Sequence, residues 1–70
     1  MNHGDAKPKT AEQVRTEFLR TGQSIASFAK AHNLPYATVY QVMHGQKKGV
    51  RGDAHRAAVL LGMKIGTLQD

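Results

Sequence analysis

Apolar side chains recur along this chain at three- and four-residue intervals, and each such window is bracketed by polar residues or glycine. Ala11, Val14 and Phe18, with Leu19 beside them, follow one helical stripe. Thr10 ahead of them is a good N-cap, Gln13 completes a capping box, and Gly22 supplies a stop, so a first helix is expected over about 11–21. Ser24 can cap a second helix, in which Ile25, Phe28, Ala29 and His32 share one face. Asn33, which tolerates the left-handed conformation, ends it after residue 32. Pro35 then stands where a helix places its first residue, its φ already suited, and a third helix follows over about 36–44, closed by Gly45. Asp53 is placed to cap a fourth helix over about 53–61, with Ala54, Ala57 and Leu61 on its buried side, Ala58 and Leu60 flanking, and Gly62 as the stop.

No window alternates with a period of two, so the expected fold class is all-α with four helices. A fifth forms if Met63, Ile65 and Leu68 pack onto the bundle. Residues 1–9 hold Gly4, Lys7, Pro8 and Lys9 without periodicity and read as a flexible basic arm. Residues 10–64 form the domain and 65–70 a C-terminal tail.

The connection between the second and third helices is very short, which separates a helix-turn-helix from an ordinary helical hairpin. Two helices crossing that closely need a small residue at the crossing, and Ala29 is placed for it. Four positions later a residue able to adopt positive φ is wanted, and Asn33 is there. Leu34, Val39 and Val42 then pin the third helix to the second. His32 is the misfit, at a position suited to an apolar side chain.

Seventy residues make one small domain that buries only about 60% of its unfolded surface, and no cysteine is present to staple it. The longest apolar run, Ala57 to Leu61, falls far short of the roughly 20 residues that span a bilayer. Met1 to Thr10 is polar and unlike a signal peptide, so a cytoplasmic location is expected, with no membrane partner. Ten Lys/Arg against five Asp/Glu give a net charge of +5, a field that favours polyanions. No segment sets basic residues opposite a bulky apolar face, as a membrane-surface helix requires, so nucleic acid is favoured.

The third helix divides into two faces. At about 100° per residue, Val39, Val42 and Met43 cluster toward a core, while Ala37, Gln41 and His44 lie nearly opposite. Thr38 and Tyr40 stand on the borders, and Tyr36 lies in the first turn, whose residues meet base edges in recognition helices. The outward face carries no carboxylate to repel phosphate. Gln41 can pair with adenine N6 and N7, and Ala37 and the Thr38 methyl can meet a thymine methyl. Tyr36 and Tyr40 offer a ring and a hydroxyl, or serve as half-buried core residues with wet tips. The base-reading set is therefore Tyr36, Ala37, Thr38, Tyr40, Gln41 and His44. Lys47, Lys48, Arg51 and Arg56 follow in a basic, glycine-bearing stretch suited to phosphates, and Ser24 joins them as a phosphate ligand. Gly49 and Gly52 are expected to let that loop approach the duplex closely, with the fourth helix aiming its N-terminal N–H groups at a phosphate.

The stretch Ser24 to Gly45, Ser-Ile-Ala-Ser-Phe-Ala-Lys-Ala-His-Asn-Leu-Pro-Tyr-Ala-Thr-Val-Tyr-Gln-Val-Met-His-Gly, resembles helix-turn-helix segments of the lambda-repressor-like superfamily. Its Leu-Pro-Tyr-Ala-Thr-Val-Tyr-Gln-Val portion is similar to the recognition helix of the lactose-repressor family, which implies base-reading roles for Tyr36, Ala37 and Gln41. That family often carries longer polar side chains at the latter two positions, so a different target is implied. The longer pattern from Thr10 to Lys64 includes Lys47-Lys48-Gly49-Val50-Arg51-Gly52, Ala54-His55-Arg56 and Leu61-Gly62-Met63-Lys64. It resembles small DNA-binding proteins of Mu-like phages and prophages, and so implies a phage regulator of transcription.

Other signals carry less. Arg51-Gly52-Asp53 spells an integrin-binding tripeptide by chance, and His3, His32, His44 and His55 are scattered without metal-ligand spacing. No phosphate-binding loop, nucleophile elbow or dinucleotide fingerprint is present, so neither enzyme activity nor a cofactor or metal is expected. The leading expectation is a sequence-specific binder of double-stranded DNA. It would act as a homodimer through residues 57–68, where Ala57-Ala58-Val59-Leu60-Leu61 is wider than one core stripe. The alternatives are a non-specific nucleic-acid binder and an adaptor or antitoxin that uses the same fold to hold a protein.

Overall fold

The computed structural model describes residues 8–64, and these form an all-helical domain without strands. Its elements are α1 (Ala11–Thr21), α2 (Ile25–Ala31), α3 (Tyr36–Met43) and α4 (Gly52–Leu60). The bounds fall within a residue of those expected from the pattern, inside the usual ambiguity of helix ends. No helix among the described residues is long and apolar enough to cross a membrane.

α1 starts at the capping box: the Thr10 hydroxyl accepts from the Gln13 N–H at 3.1 Å, and the Gln13 side chain accepts from the Thr10 N–H at 2.8 Å. α2 starts at Ser24, whose Oγ accepts from the Ser27 N–H at 3.0 Å. The connection from α2 to α3 is a Schellman turn. Leu34 N–H donates to the Ala29 carbonyl at 2.8 Å and Asn33 N–H to the Lys30 carbonyl at 3.2 Å, with Asn33 at φ 58°. Asn33 is the one non-glycine residue at positive φ among those described, as the short turn demands. The turn delivers Leu34 into the core beside Ala29.

Two starts differ from the expected form. Pro35 has φ −64° but ψ 136°, so it caps α3 from outside and Tyr36 is the first helical residue. Arg51 holds the cap position of α4 without a side-chain cap, and Asp53 lies inside the first turn, where its carboxylate faces Arg56 at 3.6 Å. An acid there favours the positive end of the helix dipole without capping it.

The core comprises Val14, Phe28, Ala29, Leu34, Val39, Val42, Met43, Ala57, Ala58 and Leu61, with Phe18, Ile25, Ala54, Leu60 and Met63 packed against it. α3 sits in the middle and packs against α1, α2 and α4. His32 is half-buried, its ring 4.4 Å from that of Phe28 between centroids, so the apparent misfit covers an aromatic face. Leu19 does not join the α1 stripe: it is 84% exposed. The wide apolar run of α4 is largely consumed by the core, which leaves Val59 outside it; Ile65 and Leu68 lie outside the described residues. Lys9 is not part of a free arm, because its N–H donates to the Gly62 carbonyl at 2.8 Å and its Nζ to Glu17 at 2.8 Å.

Gly49 has a packing role within the fold that the sequence pattern did not indicate. It is buried at φ 72°, and a Cβ there would lie 2.8 Å from the Ala54 carbonyl oxygen and 2.9 Å from the Ala58 Cβ. It brings the loop onto α4. Gly49→Ala should therefore cost roughly 1–2 kcal/mol of left-handed strain plus about 1–3 kcal/mol of overpacking. Gly52→Ala, at φ 65° with open space around it, should cost the strain alone. Urea denaturation of the two variants checks the difference, and equal losses would contradict the packing role.

Candidate nucleic-acid interface

The inward arc of α3 is sealed, with Val39 and Val42 fully buried and Met43 2% exposed. Burial of this arc fixes the rotation of the helix, so its other face is presented in one orientation. Tyr36, Ala37, Tyr40 and His44 are exposed, while Thr38 and Gln41 are half-buried at the margins. Tyr36 and Tyr40, 53% and 38% exposed, are surface residues and not core residues with wet tips.

The rings on this face form a column. Tyr36 and Tyr40 have centroids 6.2 Å apart with planes at 26°, and Tyr40 and His44 lie 4.1 Å apart at 21°. Their spacing of four residues is the helical repeat that makes side chains neighbours. His44 Nδ1 lies 3.0 Å from the Tyr40 carbonyl. A carbonyl can only accept, so Nδ1 is the ring nitrogen that carries a proton toward it.

The basic loop adjoins this helix. Gln46 N–H and Lys47 N–H both donate to the Gln41 carbonyl, at 2.8 and 3.2 Å, folding the start of the loop back on the last turn of α3. Further along, Lys64 Nζ donates to the Gly49 carbonyl at 2.7 Å, beside the contact of Gly49 with α4. Lys47, Lys48 and Arg51 are exposed between and after these ties. The ion pairs among the described residues, Lys9–Glu17 and Arg56–Asp53, use none of the three. From Tyr36 to Gly52 the chain has no Asp or Glu.

The structure thus gathers most of the expected site and separates two members of it. Arg56 is partly occupied by Asp53, so it is less available than the loop cations. Ser24 is exposed and its oxygen accepts in the α2 cap, while its O–H remains a donor. Sequence patterning missed Arg15, whose guanidinium donates to the Met43 carbonyl at 2.7 Å and satisfies an end of α3. It also missed Lys64. Neither contact has a local signature, because the partner atoms are backbone carbonyls distant in sequence. Leu19 borders a shallow cavity of about 330 Å³ with Arg15, Phe18, Ile25, Met43 and His44, at the end of α3 away from Tyr36.

No family model, no curated protein and no solved structure matches this chain.

The two faces of α3 should respond differently to truncation. Met43→Ala should lose about 2–5 kcal/mol of stability, whereas Gln41→Ala should change it by no more than about 0.5 kcal/mol. Thermal or urea unfolding of both variants measures this. Comparable losses would mean that Gln41 belongs to the packing.

Proposed function

We propose that this protein is a sequence-specific binder of double-stranded DNA. In this reading α2 and α3 form a helix-turn-helix of the lambda-repressor-like kind, and α3 enters the major groove. The single observation that supports it most is the coupling of two surfaces. The acid-free outward face of α3 carries Ala37, Gln41 and the Tyr36–Tyr40–His44 column, and the basic loop is tied to that helix at the Gln41 carbonyl. Base-reading groups and phosphate-binding cations are then held in fixed relation, which is what a register on duplex DNA requires.

The roles divide accordingly. Tyr36, Ala37, Thr38, Tyr40, Gln41 and His44 face base edges, while Lys47, Lys48 and Arg51, helped by Arg56 and the Ser24 hydroxyl, take phosphates. The biological role proposed is that of a phage or prophage transcriptional regulator, consistent with the resemblance of residues 10–64. Pairing of two copies through 57–68 would double the number of base pairs read. A sedimentation run giving one protein per duplex would exclude that pairing.

Neutralising four or five phosphates should give a slope of log K against log salt of about −4. Lys47→Ala should weaken binding uniformly across sequences and reduce that slope by about 1. Fluorescence anisotropy over a salt series, with a selected duplex and an unrelated one, tests both statements. The selected duplex should bind about 10³-fold tighter or more. Equal affinities would assign a non-specific binder, and a slope near zero would reject DNA as the ligand.

A further inference from the structure

The outward face of α3 is unusual in the chemistry it omits and in how its rings are held. The helix has no Arg or Lys between Tyr36 and Met43. Bidentate pairing of Arg or Lys with guanine O6 and N7 is the commonest specific contact in the major groove, and α3 has no residue for it. Arg15 reaches the end of this helix, but its guanidinium is engaged with the Met43 carbonyl at 2.7 Å. Lys47 and Lys48 lie beyond the helix, on the loop.

His44 lies past the last helical residue of α3, at the end of the ring column. Its Nδ1 proton faces the Tyr40 carbonyl at 3.0 Å, so only Nε2 is left for a base: it accepts from adenine or cytosine in the neutral ring and donates to guanine in the imidazolium. Tyr40 lies on His44 with centroids 4.1 Å apart and planes at 21°, so that face of its ring is covered, while Tyr36 stands 6.2 Å away.

What remains on α3 is an amide at Gln41, the methyl groups of Ala37 and Thr38, and the ring edges of Tyr36 and Tyr40. We infer that the base pairs facing Ala37, Thr38 and Gln41 are A·T pairs, with thymine C5-methyl groups packed against Ala37, Thr38 and the tyrosine edges, and adenine N6 and N7 taken by Gln41. This rests on the reading of α3 as a recognition helix. Guanine, where present in the target, lies outside the pairs that these three residues face.

The test is a selection from random duplexes with the wild-type protein and, in parallel, with Gln41→Ala, whose melting curve should match the wild type. Positions where the variant loses preference mark the pairs that Ala37, Thr38 and Gln41 face. Those positions should be A·T. Replacing their thymines by uracil, which removes only the methyl, should weaken binding about fourfold per buried methyl group. Thymine-to-uracil changes elsewhere in the site should have little effect. Enrichment of G·C at the marked positions, indifference to uracil there, or no position relaxed by Gln41→Ala overturns this inference while leaving duplex recognition in place. Failure to enrich any duplex, or tighter binding to the single strands, overturns the recognition-helix reading and this inference together.

Discussion

One helix serves both the interior and the surface of this domain, and the rest of the structure depends on how it is held. α3 packs against the other three helices through Val39, Val42 and Met43, which are almost completely removed from water. A domain of this size has little apolar surface to bury, so a central helix shared by all its neighbours is an effective use of few side chains. The apolar arc cannot rotate outward without exposing that contact. The opposite arc is consequently set in direction by the core and needs no contacts of its own to be presented.

The loop after α3 is constrained by different means. Its start is bonded to the Gln41 carbonyl, its middle is pressed onto α4 at Gly49, and the Lys64 ammonium holds the Gly49 carbonyl. The cations at Lys47, Lys48 and Arg51 are thus carried on a backbone attached to two helices. Ordering a segment before it meets a ligand lowers the entropic cost of binding. Lys64 and Arg15 are spent inside the fold on carbonyl groups, Lys9 pairs with Glu17 and Arg56 with Asp53. The count of ten Lys and Arg therefore overstates the number of cationic side chains open to a partner.

Helix order and boundaries were legible in the chain because their signals are local. A Thr10–Gln13 capping box, a Ser24 cap and an Asn33 able to adopt φ 58° act through neighbours a few residues away. The two faces of α3 were legible for the same reason, since their separation follows from the helical repeat and the placement of Val39, Val42 and Met43. Asp53 reads as a cap in the sequence because an acid just before an alanine run fits a cap and a first-turn position equally well, and the extended backbone of Arg51, φ −160° and ψ 171°, puts the cap there instead.

Tertiary structure alone decided the rest. Leu19 and Phe18 are adjacent apolar residues, and only the packing of α1 shows that Leu19 is left in solvent while Phe18 meets Phe28 at 5.7 Å. Gly49 reads in the sequence as room for the loop to approach a duplex, and in the fold it is a close-packed contact with α4. Arg15 and Lys64 look like two more surface charges until their carbonyl partners, 28 and 15 residues away, are brought beside them. Caps, turns and periodicity are properties of a few consecutive residues, and the sequence determines them directly. Which charges stay exposed and which glycine must stay a glycine depend on distant segments meeting, and that is settled only when the core around α3 closes.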